Sequence, residues 1–327
     1  MKATLEQIAN KIKEAKKIAV FGHQKTDSDC VSSMLAFAEM CEKIGKKVEL
    51  FVDSEFEESL FSLPGIEKIN KNTAGQKADL LVSLDTATSD RLGKYRTEFL
   101  IHPNTCRIDH HGNTDLYAKL DYVDSTLPAC CLILKKLQKL LEVKDSHLLN
   151  YLLLAGTISD TGCFKFDTTT PKTLRIAADM LDGLNGGYND IVCSLFNNSS
   201  KHKVMVEAYS VQNAQFFYDD KIALTFFSLD LMKELKTDIT ESSHRVVKLL
   251  DINTVKIAIS ITEEQKGRFA VSYRSKGNTD ISVCAIAFGG GGHLGAAGCK
   301  LSGKAEQVIK KVVDEAIKVL EKQDAAK

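Results

Sequence analysis

The chain has no excess of either charge: its 327 residues carry 43 Lys and Arg against 43 Asp and Glu. A surface that coats nucleic acid needs a basic excess, so that class is excluded. A short nucleic acid held in a local pocket is not. No apolar run approaches the ~20 residues of a membrane helix. The opening segment, MKATLEQIANKIKEAKK, is charged and amphipathic without an apolar h-region, so no secretory signal is expected. No Cys-x-x-Cys pair occurs among the nine cysteines, an odd number. Cys30, Cys41, Cys130, Cys131 and Cys193 fall in apolar-patterned stretches and read as reduced core residues of a cytoplasmic protein. Tryptophan is absent too, which excludes nothing by itself. A hydrophobic content of 44% does rule out disorder for the bulk of the chain.

At ~100–200 residues per domain, the length predicts two domains. Up to about residue 190, short β runs alternate with helical patterns, which argues α/β, with a parallel sheet covered by helices. The β runs are KIAVFG (17–22), VELFV (48–52), DLLVSLD (79–85) and TCRID (105–109). Helices are expected at 4–16, 29–44, about 128–142, 146–159 and 171–183. The rhythm breaks at GLNGG (183–187), and one helical stretch from 189 to about 214 reads as a connector. Longer strands follow in KIALTFFSL, TVKIAISITEE and GRFAVSYRS, with a helical segment around 241–250, a glycine cluster and a final amphipathic helix at 304–322. The expected boundaries are a metal-binding parallel-sheet domain at 1–187, a helical connector at 188–215 and a smaller α+β domain at 216–327.

Chemistry-bearing residues gather at the ends of these elements. His23, Asp27 and Asp29 follow the first β run, where strand C-termini of an open parallel sheet form the ligand crevice. Two carboxylates this close repel unless a cation or donors neutralise them. A polar turn with Ser28 or Asp29 capping the helix explains them about as well. Asp85 closes the third β run, and a lone Asp there is ordinarily a turn residue. Asp109-His110-His111 closes the fourth, and three such residues in a row are hard to explain as packing. Asp160 follows an apolar helix. Together these are three His and five Asp at element ends, enough for two metals. Mixed imidazole and oxygen donors suit Mn²⁺, Mg²⁺, Fe²⁺ or Co²⁺ better than a thiolate zinc site. Paired metals ~3.5–4 Å apart serve in-line displacement at phosphorus.

In the second domain, Gly289–Gly292 precede His293 and a run of small residues, and consecutive glycines let backbone N–H groups converge on an anion. No Gly-Lys-[Ser/Thr] follows, so this is not a P-loop. Arg274 ends an alternating strand and could contact phosphate, though a surface Arg is the commoner case. His102, His147, His202 and His244 lie outside any cluster and read as surface or capping residues. The Lys-rich helices at 11–17 and 304–318 read as solvated faces.

The ordered set H-x-x-x-D-x-D, D-T, D-H-H, S-D-T-G and G-G-G-G-H-x-x-A-A-G resembles the DHH phosphoesterase family with its DHH-associated C-terminal domain. The nearest likeness is to the nanoRNase, pAp-phosphatase and cyclic-di-AMP phosphodiesterase branch. The resemblance implies that His23 and Asp27 hold one metal, that Asp29, His110 and Asp160 hold the other, and that Asp85 bridges both. It implies that Asp109 orients His110 and that His111 contacts the scissile phosphate. Arg274, Gly290, Gly291, Gly292 and His293 would bind the distal phosphate and nucleotide, across a cleft that opens and closes. Thr26, Ser28, the Ser32-Ser33 pair, and Thr114 with Asn113 one position early depart from the family pattern and bear on loop shape and substrate.

The implied activity is hydrolysis of short oligoribonucleotides or linear dinucleotides such as pApA to mononucleotides. Its implied cofactors are two divalent ions, Mn²⁺ or else Mg²⁺ or Co²⁺. The expected partner is short RNA or a dinucleotide, with no membrane and no long duplex, and a homodimer is allowed. Alternatives are a pAp phosphatase, a cyclic-di-AMP phosphodiesterase, a family-II-type pyrophosphatase and a non-catalytic nucleotide-binding module. The glycine run argues against the pyrophosphatase, and the complete ligand set argues against the silent module.

Overall fold

Lys17–Phe21 (β1) is apolar almost throughout because both faces of its sheet are covered. In a computed structural model that describes residues 2–70, 78–112, 115–184, 186–237 and 246–325, β1 pairs in parallel with Lys47–Phe51 (β2) and Leu80–Leu84 (β4). Ile69–Asn70 (β3), Thr105–Asp109 (β5) and Leu120–Val123 (β6) complete a six-stranded parallel sheet of order β3-β2-β1-β4-β5-β6. The order reverses between β1 and β4. Loops leaving those strands diverge, which is where such sheets bind ligands.

Helices Leu5–Glu14 (α1), Ser28–Lys43 (α2), Cys130–Leu140 (α4) and His147–Asp160 (α5) share the larger core, with Val20, Met34, Phe37, Ile108 and Leu153 fully buried. Phe21, Phe51, Leu92, Tyr95 and Phe99 form a second core, to which Arg96–Ile101 (α3) contributes Phe99. The Phe21 and Phe51 rings stack at 5.5 Å. Pro171–Asp182 (α6) begins with Pro after the N-cap Thr170, as the missing Pro N–H allows. β3 and β6 were not expected from the sequence: one is two residues long, and the other, LDYV, carries little apolar patterning.

The chain forms two compact units, 1–198 and 199–327. The stretch expected as one connecting helix is two, Tyr188–Phe196 (α7) and Lys201–Gln212 (α8). Asn and Ser between them favour caps and turns over helix interiors, and the Ser200 hydroxyl accepts the Lys203 N–H to start α8. α7 falls in the first unit and α8 in the second.

The second unit holds a mixed sheet. Gln215–Phe217 (β7), Ile222–Phe227 (β8), Ile257–Gln265 (β9) and Arg268–Ser275 (β10) are joined by Gly291–His293 (β11) and Ala296–Ser302 (β12). Among the described residues of this unit, only β8–β9 is parallel. The helical segment expected at 241–250 is a 3-10 turn at Val246–Asp251; its first part, with His244, lies outside the described residues. The closing helix runs Ala305–Ala325.

Candidate metal centre

The end of β1 places the first group. A Cβ on Gly22 would lie 2.6 Å from Met34 Sδ and 2.7 Å from Cys30 Sγ, so only glycine lets the chain pass this close to α2. His23 follows, 1% exposed. Its Nδ1 lies 2.8 Å from Gln24 O and 2.8 Å from Arg91 Nη2. The α2 cap is Asp27: its Oδ1 accepts the Cys30 N–H, which leaves Oδ2 3.6 Å from His23 Nε2.

Asp85 follows β4 with φ 52, a left-handed conformation uncommon for a residue with a Cβ and typical of functional sites. Its Oδ2 lies 3.7 Å from His23 Nε2, and its Oδ1 lies 3.3 Å from His110 Nε2 and 3.8 Å from His111 Nδ1. One carboxylate therefore reaches both groups of donors. Asp160, the last residue of α5, brings Oδ2 to 3.3 Å from His110 Nε2. Asp29 is fully buried, and its carboxylate accepts the N–H groups of Cys130 and Cys131 at the α4 N-terminus, at 2.5 and 3.1 Å. The donors form three overlapping sets: His23, Cys30 and Asp85; Asp85, His110 and His111; Asp29, His110 and Asp160.

These residues fit divalent cations. Asp85 Oδ1 and His110 Nε2 are buried without a hydrogen-bond partner. Such a pair calls for a positive charge between the groups that surround it. Burial and the Asp160 and Asp85 charges hold the Asp29 carboxyl well above its usual range. Burial, with Asp85 and Asp27, lifts Asp160 to about 6. Burial works against a charged His110, yet Asp160, Asp85 and Asp29 outweigh it and lift the imidazole to about 11. Burial raises the Cys30 thiol as well, against the pull of His23, so it stays protonated in this setting.

Two expectations need correction. Asp109 holds the ring of His111, not of His110: its Oδ1 lies 2.7 Å from His111 Nδ1, while His110 gives it only a backbone N–H at 2.8 Å. The His110 ring points instead to Asp85 and Asp160. The glycine run is not an open cradle of amides. The N–H groups of Gly289 and Gly290 are bonded to Ile286 O and Ala285 O, and Gly291–His293 is a strand of a hairpin. The glycines are needed because a Cβ on Gly290 would meet Gly298 O at 2.2 Å. His293 is exposed at the end of that strand, and Arg274, half-buried at the end of β10, donates to Tyr273 O. Thr114 and Asn113 lie outside the described residues. His102 Nδ1 lies 2.8 Å from Asn104 O and its Nε2 3.2 Å from Ala78 O, and His202 pairs with Leu235 O.

Sequence reasoning missed Arg107. It is fully buried in β5, 3.1 Å by Nε from Asp121 Oδ1 and 3.9 Å by Nη2 from Asp109 Oδ2. It also donates to Ala87 O and Asp115 O. A charged residue inside an apolar β run was the available signal.

Comparison with known proteins agrees with this architecture. The model of the DHH family N-terminal domain matches residues 17–157, and the DHHA1 domain matches 223–322. The chain is 28% identical over 305 residues to the probable bifunctional oligoribonuclease and PAP phosphatase NrnA of Streptococcus mutans, covering 91% of this chain and 94% of that one. It is 27% identical over 292 residues to the bifunctional oligoribonuclease and PAP phosphatase NrnA of Bacillus subtilis, covering 87% and 89%. Its fold matches an exopolyphosphatase-related protein from Bacteroides fragilis with a TM-score of 0.87 at 21% identity, over 96% and 95% of the two chains. It also matches RecJ from Thermus thermophilus in complex with Mn²⁺, with a TM-score of 0.53 at 13% identity, over 97% of this chain and 55% of that one. Residues 17–157 thus carry a DHH family N-terminal domain, which holds this cluster, and residues 223–322 a DHHA1 domain.

Proposed function

We propose that this protein hydrolyses phosphoester bonds of short oligoribonucleotides and linear dinucleotides, releasing mononucleotides. The observation that carries this reading is Asp85, one carboxylate within 4 Å of both His23 and His110, with an oxygen left unpaired. When bound by His23, Asp27, Asp29, Asp85, His110 and Asp160, two divalent ions would neutralise phosphate charge and acidify water. Mn²⁺ is favoured, since imidazole and carboxylate donors are mixed.

Asp85 and Asp160 orient the His110 imidazole. Asp109 accepts from His111 and keeps that ring beside the site, where it donates to a phosphoryl oxygen as charge develops. Arg274 and His293 take the distal phosphate. The relatives whose names pair an oligoribonuclease with a PAP phosphatase favour a second activity on pAp at the same centre. We place the protein in the cytoplasm.

The test is a substrate panel with Mn²⁺: pAp, pApA, longer RNA, cyclic dinucleotides and pyrophosphate. Turnover of pApA and pAp, with little on long RNA, supports the reading. Turnover of pyrophosphate alone contradicts it.

A further inference from the structure

A cavity of about 560 Å³ opens beside the metal centre, within the first unit. His110, His111 and Asp160 form one end of it, and Leu127, Pro128 and Phe166 contribute apolar surface. We infer that this cavity is a nucleobase subsite, in which the Phe166 ring stacks on the base of the nucleotide whose phosphate lies at the metal centre. The inference rests on the phosphoesterase reading above and adds a binding residue to it.

The lining chemistry selects the ligand class. Besides the two histidines and the apolar wall, the cavity is lined by Ser125, Thr126, Thr168 and Thr170 and by Asp160 and Asp167; the Thr126 hydroxyl is held by Asp124 and that of Thr170 by Thr173. Among the described residues, no Lys or Arg lines it. A second phosphate placed here, away from the metal centre, would meet the Asp167 carboxylate and no Lys or Arg among the described residues. A base and ribose carry no charge, and their edges suit neutral hydroxyls. A volume of this size holds one nucleoside, not a duplex.

Phe166 is placed for stacking. Its side chain is 57% exposed at the cavity, although large apolar residues of this unit are mostly buried. The turn that carries it is built under constraint. Gly162, Cys163 and Phe164 follow one another in left-handed conformations, with φ of 55°, 58° and 63°. Such a run persists only where its surroundings hold it. Here the Phe164 N–H bonds to Thr161 Oγ1, and the Lys165 and Phe166 N–H groups both bond to Thr161 O. A Cβ on Gly162 would lie 2.5 Å from the Phe166 ring, so a side chain there would push the ring from its seat. The turn begins one residue after Asp160, so the site and the ring share a short rigid segment. Every base has a π-face, so this contact tolerates any sequence, as a short-oligonucleotide hydrolase requires.

The experiment compares kcat/KM for pApA and for two analogues, each lacking adenine at one of its two positions, in wild type, Phe166→Leu and Phe166→Ala. Phe166→Ala should lose on the order of tenfold on pApA and on the analogue that keeps the base at this subsite. It should lose nothing further on the analogue without that base, and Phe166→Leu should fall between. An equal loss on all three substrates, or no loss on any, overturns the inference. If wild type hydrolyses none of the three, the phosphoesterase reading fails. The subsite is then judged by equilibrium binding of AMP with Mn²⁺: about tenfold weaker binding to Phe166→Ala upholds a base site, and equal binding overturns it.

Discussion

Asp109 Oδ1 lies 2.7 Å from His111 Nδ1 and also accepts the backbone N–H groups of His110 and His111. One carboxylate thus fixes both the ring and the turn that carries it. Burial works against this charge, but His111 and Arg107 hold the Asp109 carboxyl below its usual range. Replacing it by Asn should leave the fold intact and lower kcat by about 10–100-fold, the usual loss when a group that orients a histidine is removed. Separate kcat and KM values decide the matter, since a change confined to KM contradicts a role in holding His111.

Asp85→Ala should abolish activity by orders of magnitude, because both groups of donors lose their shared carboxylate. Asp85→Asn should be nearly as damaging, because a neutral amide bridges two cations poorly. Metal content should be measured alongside turnover. Near-normal kcat in Asp85→Asn with both metals retained would remove the bridging role.

Metal removal should make stability fall as pH rises. Folded pKa values above the unfolded ones mean protons bound preferentially by the folded state, and their stabilisation disappears as pH passes the folded value. For Asp160 that window runs from 3.8 to about 6, and for His110 from 6.5 to about 11. In chelator, the melting temperature should therefore decline between about pH 5 and about pH 9. Mn²⁺ should flatten the curve by replacing those protons, and should restore activity better than Ca²⁺. A chelated protein that grows more stable over this range, or keeps full activity, contradicts the metal assignment.

Arg107 should behave as a support for the site. Arg107→Ala strands Asp109 and Asp121 in a buried position, a loss of about 3–5 kcal/mol where a buried pair is broken. Chemical denaturation measures it. A loss below about 1 kcal/mol would show water reaching the pair.

The second unit should serve binding more than chemistry. Truncating Arg274 should cost a dinucleotide about 1.5–3 kcal/mol of binding. A small artificial phosphodiester without a second phosphate should be turned over almost as in wild type. His293→Ala should behave alike. Equal losses on both substrates would place these residues elsewhere in the reaction.

The strand ends that carry His23, Asp85 and Asp109 were legible because apolar runs are local and each stops at a polar residue. Asp160 was legible only as one of a set, since alone it reads as a helix-end or turn residue. Its position as the last residue of α5 gives no signal without the partners that folding supplies. The same limit hid the choice of Asp109 between His110 and His111, since neighbours on a chain cannot be told apart by spacing. Phe166 reads as any other aromatic until the left-handed turn beneath it is seen. The glycines misled because a hairpin and an anion cradle ask for the same residue.

Asp29 ties two properties of the protein together. Its oxygens are already engaged by the first amides of α4, so the helix that closes the core is anchored on a residue assigned to the metals. A substitution at Asp29 therefore takes the carboxylate from the α4 N-terminus as well as from the candidate metal site, so lost activity at this position arrives together with lost stability.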